Sequence, residues 1–157
     1  MLNIRDEKEY NSIVDEYSDM IFRIAYQNLF NIHDAEDVTQ DVFLKLIKQK
    51  ENFFNDKEHL KSWLIRVTIN RSIDFKKAFF RKNTVPLHDI DIPFEPEEKE
   101  LLEEMYQLPR DYRNILYLYY YEGYTIKEIA NILGIKQNTV NSRLTRGRKK
   151  LKVIMEV

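Results

Sequence analysis

Cysteine is absent from this 157-residue chain, which excludes disulfides, thiolate metal sites and cysteine nucleophiles at the outset. Glycine (3) and proline (4) are scarce, and that argues against an all-β chain built on many tight turns. No apolar run approaches the roughly 18 residues needed to cross a bilayer, and Met1-Leu2-Asn3-Ile4-Arg5-Asp6 has no signal-peptide core. The expectation is a cytoplasmic protein without membrane insertion. What is present suits a folded helical chain: 43% apolar and 32% charged residues are enough for a real core under a solvated surface.

The net charge of −1 taken alone speaks against a nucleic-acid partner. Its distribution says otherwise. Residues 1–65 carry 8 Lys/Arg against 13 Asp/Glu, whereas Arg66–Lys82 holds six cations and one acid, Asp74. Asn83–Glu104 then reverses to one cation and eight acids, and Lys136–Lys152 has seven cations and no acid. Such blocks are evidence about partners rather than fold.

Apolar residues at three- and four-residue steps predict a helix from about Glu7 to Phe30 (Ile13, Val14, Tyr17, Met20, Ile21, Ile24). A second helix is expected with Asp34 as its N-cap and Ala35, Val38, Val42, Phe43 and Leu46 inward. After a polar loop, Lys50–Glu58, a third begins near Leu60 and turns basic beyond Ile69. Pro86, Pro93 and Pro96 mark a linker. Beyond it, helical patterns span Glu97–Gln107, a stretch with Pro109 in its first turn that breaks at Gly123, Thr125–Leu133, and Gln137 onward. The fold class is therefore all-α, two small helical domains (1–82 and 97–157) joined by a proline-containing linker (83–96).

Thr125–Leu144 has the anatomy of a helix-turn-helix. Ala130 allows two helices to cross closely, and Gly134 supplies the left-handed turn residue. Ile129, Leu133, Ile135, Val140 and Leu144 are expected to close the core. Gln137, Asn138, Asn141, Ser142, Arg143 and Arg146 then point outward, as side chains that reach base edges and phosphates in a major groove. Arg148 and its neighbours add backbone-binding charge.

In the N-terminal half, Asp37, Gln40, Asp41 and Leu44 fall on one helix face. A metal or acid–base site is the enzymatic interpretation. It fails because His33, His59 and His88 show no ligand spacing and no nucleophile motif accompanies them. A solvated face and a face docked on a basic partner both remain open.

The motifs Asp34-Ala35-Glu36-Asp37-x-x-Gln40-Asp41-x-Phe43 and Leu60-x-x-Trp63-Leu64-x-x-Val67-x-x-Asn70-x-x-x-Asp74 resemble bacterial RNA polymerase sigma factors of the extracytoplasmic-function (ECF) type. So do Pro109-x-x-Tyr112-Arg113-x-Ile115-Leu116, Tyr121-Glu122-Gly123, Glu128-Ile129-Ala130 and Thr139-Val140-x-Ser142-Arg143-Leu144-x-Arg146. The resemblance runs from about Tyr10 to Leu151 and implies a dissociable specificity subunit, not an enzyme, with no cofactor, metal or small-molecule substrate.

By the same resemblance, Asp37, Gln40, Asp41 and Leu44 dock on core RNA polymerase. Asn52, Phe53, Phe54 and Asn55 form a loop that captures a flipped −10 base, while Trp63, Asn70, Arg71, Lys76 and Lys77 contact promoter DNA beside it. Trp63 as packed core is the competing reading. Lys136, Gln137, Asn138, Thr139, Asn141, Ser142, Arg143 and Arg146 would read the −35 element. An anti-sigma factor is an expected partner.

Two residues depart from the family pattern. Ile47 stands where an aromatic is frequent, and Gly147 where Ala is frequent, so the last helix is expected to loosen or bend there. The alternative to the sigma reading is a stand-alone helix-turn-helix regulator that binds duplex DNA as a dimer.

Overall fold

The computed structural model describes residues 2–78, 95 and 103–156, with side chains in the first stretch described as far as Phe75. The predicted linker 83–96, apart from Glu95, and most of the predicted helix Glu97–Gln107 lie outside the described residues. The backbone divides into two units, Met1–Val85 and Pro86–Val157.

The first unit is a bundle of α1 (Glu7–Leu29), α2 (Ile32–Ile47) and α3 (Lys57–Ala78), each packed on the other two. Asp6 caps α1 by accepting the Lys8 N–H, and Phe30 closes it in the left-handed region at φ 51°. Asn31, rather than the expected Asp34, caps α2. Its side-chain oxygen accepts the Asp34 N–H at 3.0 Å, so the helix starts three residues earlier and Asp34 sits buried in its first turn. Similarly α3 begins at Lys57, not Leu60, because Asp56 Oδ1 accepts the His59 N–H at 2.8 Å.

Ile21, Ile24, Val38, Val42, Leu46, Leu60, Leu64 and Ile65 fill the centre of this bundle. Each such side chain contributes roughly 1.5–3 kcal/mol on burial. Thr68 and Ser72 are also buried, and their hydroxyls donate to the carbonyls four residues back, Leu64 at 2.6 Å and Thr68 at 2.7 Å. That satisfaction is what admits polar residues to the inner face of α3.

In the second unit Pro109 precedes α4 (Arg110–Leu116) as its cap residue instead of entering the first turn. The buried Arg113 guanidinium donates to the Leu108 carbonyl at 2.6 Å, tying the preceding turn to the helix. Burial, helped by the Arg110 charge, lowers its pKa to about 10. The helix widens into a π-helical turn, Tyr117–Tyr121, before Gly123 reverses the chain at φ 76°. Two further helices follow, α5 (Ile126–Leu133) and α6 (Gln137–Glu156), and α6 packs on both α4 and α5.

Candidate nucleic-acid interface

The helix-turn-helix is built from local capping. Thr125 accepts the Glu128 N–H at 3.1 Å while Glu128 accepts the Thr125 N–H at 3.0 Å, a complete capping box that fixes where α5 starts. Gly134, at φ 68°, ends α5, and the Ile135 N–H returns to the Ala130 carbonyl at 3.1 Å. Ile129, Ala130, Val140 and Leu144 are buried as expected. Leu133 and Ile135 are only half-buried, and Ile132 takes the inward place instead.

On α6 the buried residues Val140, Leu144 and Gly147 define the inner stripe. Asn138, Asn141, Ser142 and Arg146 are exposed away from it, with Lys136 and Gln137 exposed at the entrance. Thr139 and Arg143 are half-buried, and Arg143 reaches Asp111 of α4 at 3.9 Å. Amide, hydroxyl and guanidinium groups thus share one side of a helix whose other side is anchored, the arrangement a major groove accepts.

Two C-terminal expectations change. The helix does not break at Gly147: α6 runs through it, and the buried glycine lies closely against α4. A Cβ there would lie 3.3 Å from both Leu116 Cδ1 and Tyr112 Cβ of α4. Arg148 is drawn toward α4 as well. Its Nε donates to the Tyr120 hydroxyl, and its guanidinium lies 5.3 Å from the Tyr119 and Tyr120 ring centres. Arg148 nonetheless remains exposed, with its guanidinium held against these two tyrosines.

In the first unit, α2 presents Asp37, Gln40 and Leu44 at the surface, with Leu44 57% exposed. Asp41 is half-buried. Ile47, not among the expected contacts, continues this face at 49% exposed. Its i, i+3 spacing from Leu44 was a readable signal.

The loop before α3 is more ordered than its composition suggests. Asn52 adopts the left-handed conformation at φ 63°, and the Phe53 N–H closes a turn on the Lys50 carbonyl at 3.1 Å. Phe54 does not face solvent. At 1% exposed it belongs to the core, edge-on to Trp63 at 5.3 Å, so base capture cannot use its ring as placed. Asn52, Asn55 and Phe53 (40% exposed) are the outward residues.

Trp63 is half-buried under that plug. Asn70 and Arg71 are exposed along α3, and Arg71 pairs with Asp41. Lys76 and Lys77 lie in its last turn, but their side chains fall outside the described residues. Among the described residues no group of three His, Cys, Asp or Glu is placed to hold a metal, and no helix is long and apolar enough to cross a membrane.

Residues 13–83 match Sigma-70 region 2 and residues 98–151 match Sigma-70, region 4. The chain is 33% identical over 78% of its length to RNA polymerase sigma factor SigZ of Bacillus subtilis, covering 73% of that protein. The chain belongs to the ECF sigma factors. It is also 30% identical over 91% of its length to ECF RNA polymerase sigma factor SigE of Mycolicibacterium smegmatis, of which it spans 60%.

Among solved structures, this sigma factor superposes on the sigma factor RpoE in complex with the anti-sigma factor NepR from Bartonella quintana. The TM-score is 0.69 at 21% identity, over 96% of this chain and 98% of that one, a likeness of fold. As a sigma factor the chain directs promoter-specific transcription. The stand-alone regulator is not favoured, since region 2 has no counterpart in a simple helix-turn-helix protein.

Proposed function

We propose that this sigma factor acts purely by binding, in the cytoplasm, and divides its contacts among three surfaces. The α2 face of Asp37, Gln40, Asp41 and Leu44, extended by Ile47, docks on core RNA polymerase. The loop residues Asn52, Phe53 and Asn55, with Asn70, Arg71, Lys76 and Lys77 of α3, engage the −10 element. Lys136, Gln137, Asn138, Thr139, Asn141, Ser142, Arg143 and Arg146 read the −35 element. The first unit with the basic block through residue 82 and the second unit with the helix-turn-helix are the corresponding domains.

The observation that carries this reading is the helix-turn-helix of one unit, with its capped α5 and the acid-free basic run Lys136–Lys152, together with an acidic, partly apolar α2 face on the other. One surface fits phosphate and base edges; the other fits a basic protein. Because the RpoE relative is seen with an anti-sigma factor, a protein inhibitor that covers these faces is part of the proposal.

The test is reconstitution with sigma-free core polymerase on promoters selected from random DNA. Expected are initiation at a defined start and base preferences at two separated elements. Failure to initiate at any selected promoter would overturn the reading.

A further inference from the structure

His59 stands in the first turn of α3, outside every motif that identified the family, yet it touches three consecutive loop residues, Phe53, Phe54 and Asn55. Its Nδ1 accepts the Asn55 backbone N–H at 3.2 Å. Its own N–H is donated to Asp56 Oδ1 at 2.8 Å, which locks the residue to the helix start. Its ring lies 5.6 Å from Phe53 and 5.4 Å from Phe54, while those two rings meet edge to face at 4.8 Å.

The three outward loop residues are therefore not held alike. Asn52 rests on its own left-handed turn. Phe53 and Asn55 are both held by the one imidazole, Phe53 through its ring and Asn55 through its amide. Phe54 cannot serve in its place, since it fills the core beneath and offers no acceptor.

The acceptor fixes the direction of this exposed N–H. The Asn55 N–H would otherwise turn to water, and the peptide joining Phe54 to Asn55 would be free to rotate. A base-reading site whose donors and rings drift by an ångström loses discrimination before it loses affinity.

We infer that His59 is a positioning residue for −10 base recognition, holding Phe53 and Asn55 in the geometry that sets which base is captured. This rests on the reading of the loop as the −10 contact. The chemistry involved is simple: one lone pair on Nδ1 for the Asn55 amide, and one flat face for the Phe53 ring.

The experiment uses the full chain reconstituted with core polymerase. The probes are four promoter duplexes that differ only at the −10 base showing the strongest preference. Open-complex formation is measured for wild type, His59→Phe and His59→Asn, with core affinity and thermal midpoint recorded for each. His59→Phe keeps a ring and removes the acceptor, and discrimination between the best and worst base is expected to fall about fivefold with core affinity unchanged. His59→Asn restores an acceptor near the Nδ1 position and is expected to recover at least half of that loss.

Unchanged discrimination in His59→Phe, or an equal loss in both variants, overturns the inference. Phe53→Ala and Asn55→Ala separate it from the reading on which it rests. If they leave base preference intact, the loop is not the −10 contact. If they abolish preference while both His59 variants match wild type, only the role of His59 fails.

Discussion

Asp41 on α2 and Arg71 on α3 meet at a single carboxylate oxygen. Arg71 donates to Asp41 Oδ2 through Nη2 at 2.8 Å and through Nε at 3.0 Å. A residue proposed to dock on polymerase is thereby paired with one proposed to touch promoter DNA. Both side chains keep over a third of their surface in water, so the pair contributes no more than about 1 kcal/mol to stability. Either partner is cheaply exchanged for a stronger one.

The first prediction follows from that low cost. Asp41→Lys is expected to lower folding stability by at most about 1 kcal/mol while weakening core polymerase binding at least about fivefold. Thermal melts and a pull-down against sigma-free core check both halves. Unchanged core affinity would return the α2 face to a merely solvated one.

At Gly147 a methyl group brings a gain in helix propensity of roughly 1 kcal/mol against contacts at 3.3 Å with Tyr112 and Leu116. These offset, so Gly147→Ala should stay within about 1 kcal/mol of wild type, whereas Gly147→Val should cost about 1–3 kcal/mol through overpacking between α4 and α6. Chemical denaturation of the two variants distinguishes this close approach from a flexible hinge, at which both would be tolerated.

Thr125→Ala removes the side-chain half of the capping box and is expected to destabilise the second unit by about 1 kcal/mol. The first helix of the DNA-reading pair would fray at its start. Amide exchange at Glu128 reports it directly, and protection equal to wild type there would contradict the assignment of Thr125 as the anchor.

Salt dependence separates two arginines in the middle of α6. Arg146 is exposed and, among the described residues, no aromatic lies against it, whereas Arg148 is bound to Tyr119 and Tyr120. In holoenzyme binding to promoter duplex, Arg146→Ala should reduce the slope of log affinity against log salt by about 1 and Arg148→Ala by much less. Equal reductions would mean that Arg148 leaves its tyrosines on DNA.

Periodicity and punctuation made most of the helices legible: apolar stripes placed α1, α2 and α6, and Thr125 and Gly134 bracketed α5. Errors came where two local solutions compete. Asn31 and Asp34 are both good caps three residues apart, and the chain takes Asn31, extended directly after the left-handed Phe30 that ends α1. Gly147 reads as a weak point along one helix and as a contact once α4 lies against it. Phe54 and Arg148 could be placed in a loop and in a basic tail, but which way each side chain turns depends on partners distant in sequence, Trp63 for one and Tyr120 for the other. The π-helical turn at Tyr117–Tyr121 has no counterpart in the apolar pattern that marked this stretch as helical.

The buried Phe54 also bears on how this molecule changes over generations. Because the loop is pinned from beneath by a buried side chain, substitutions at Phe53 or Asn55 would, on the proposed reading of the loop, alter what is read without removing core volume. On that reading, promoter preference and folding stability are set by different side chains of one short loop, so the first can change at little cost to the second.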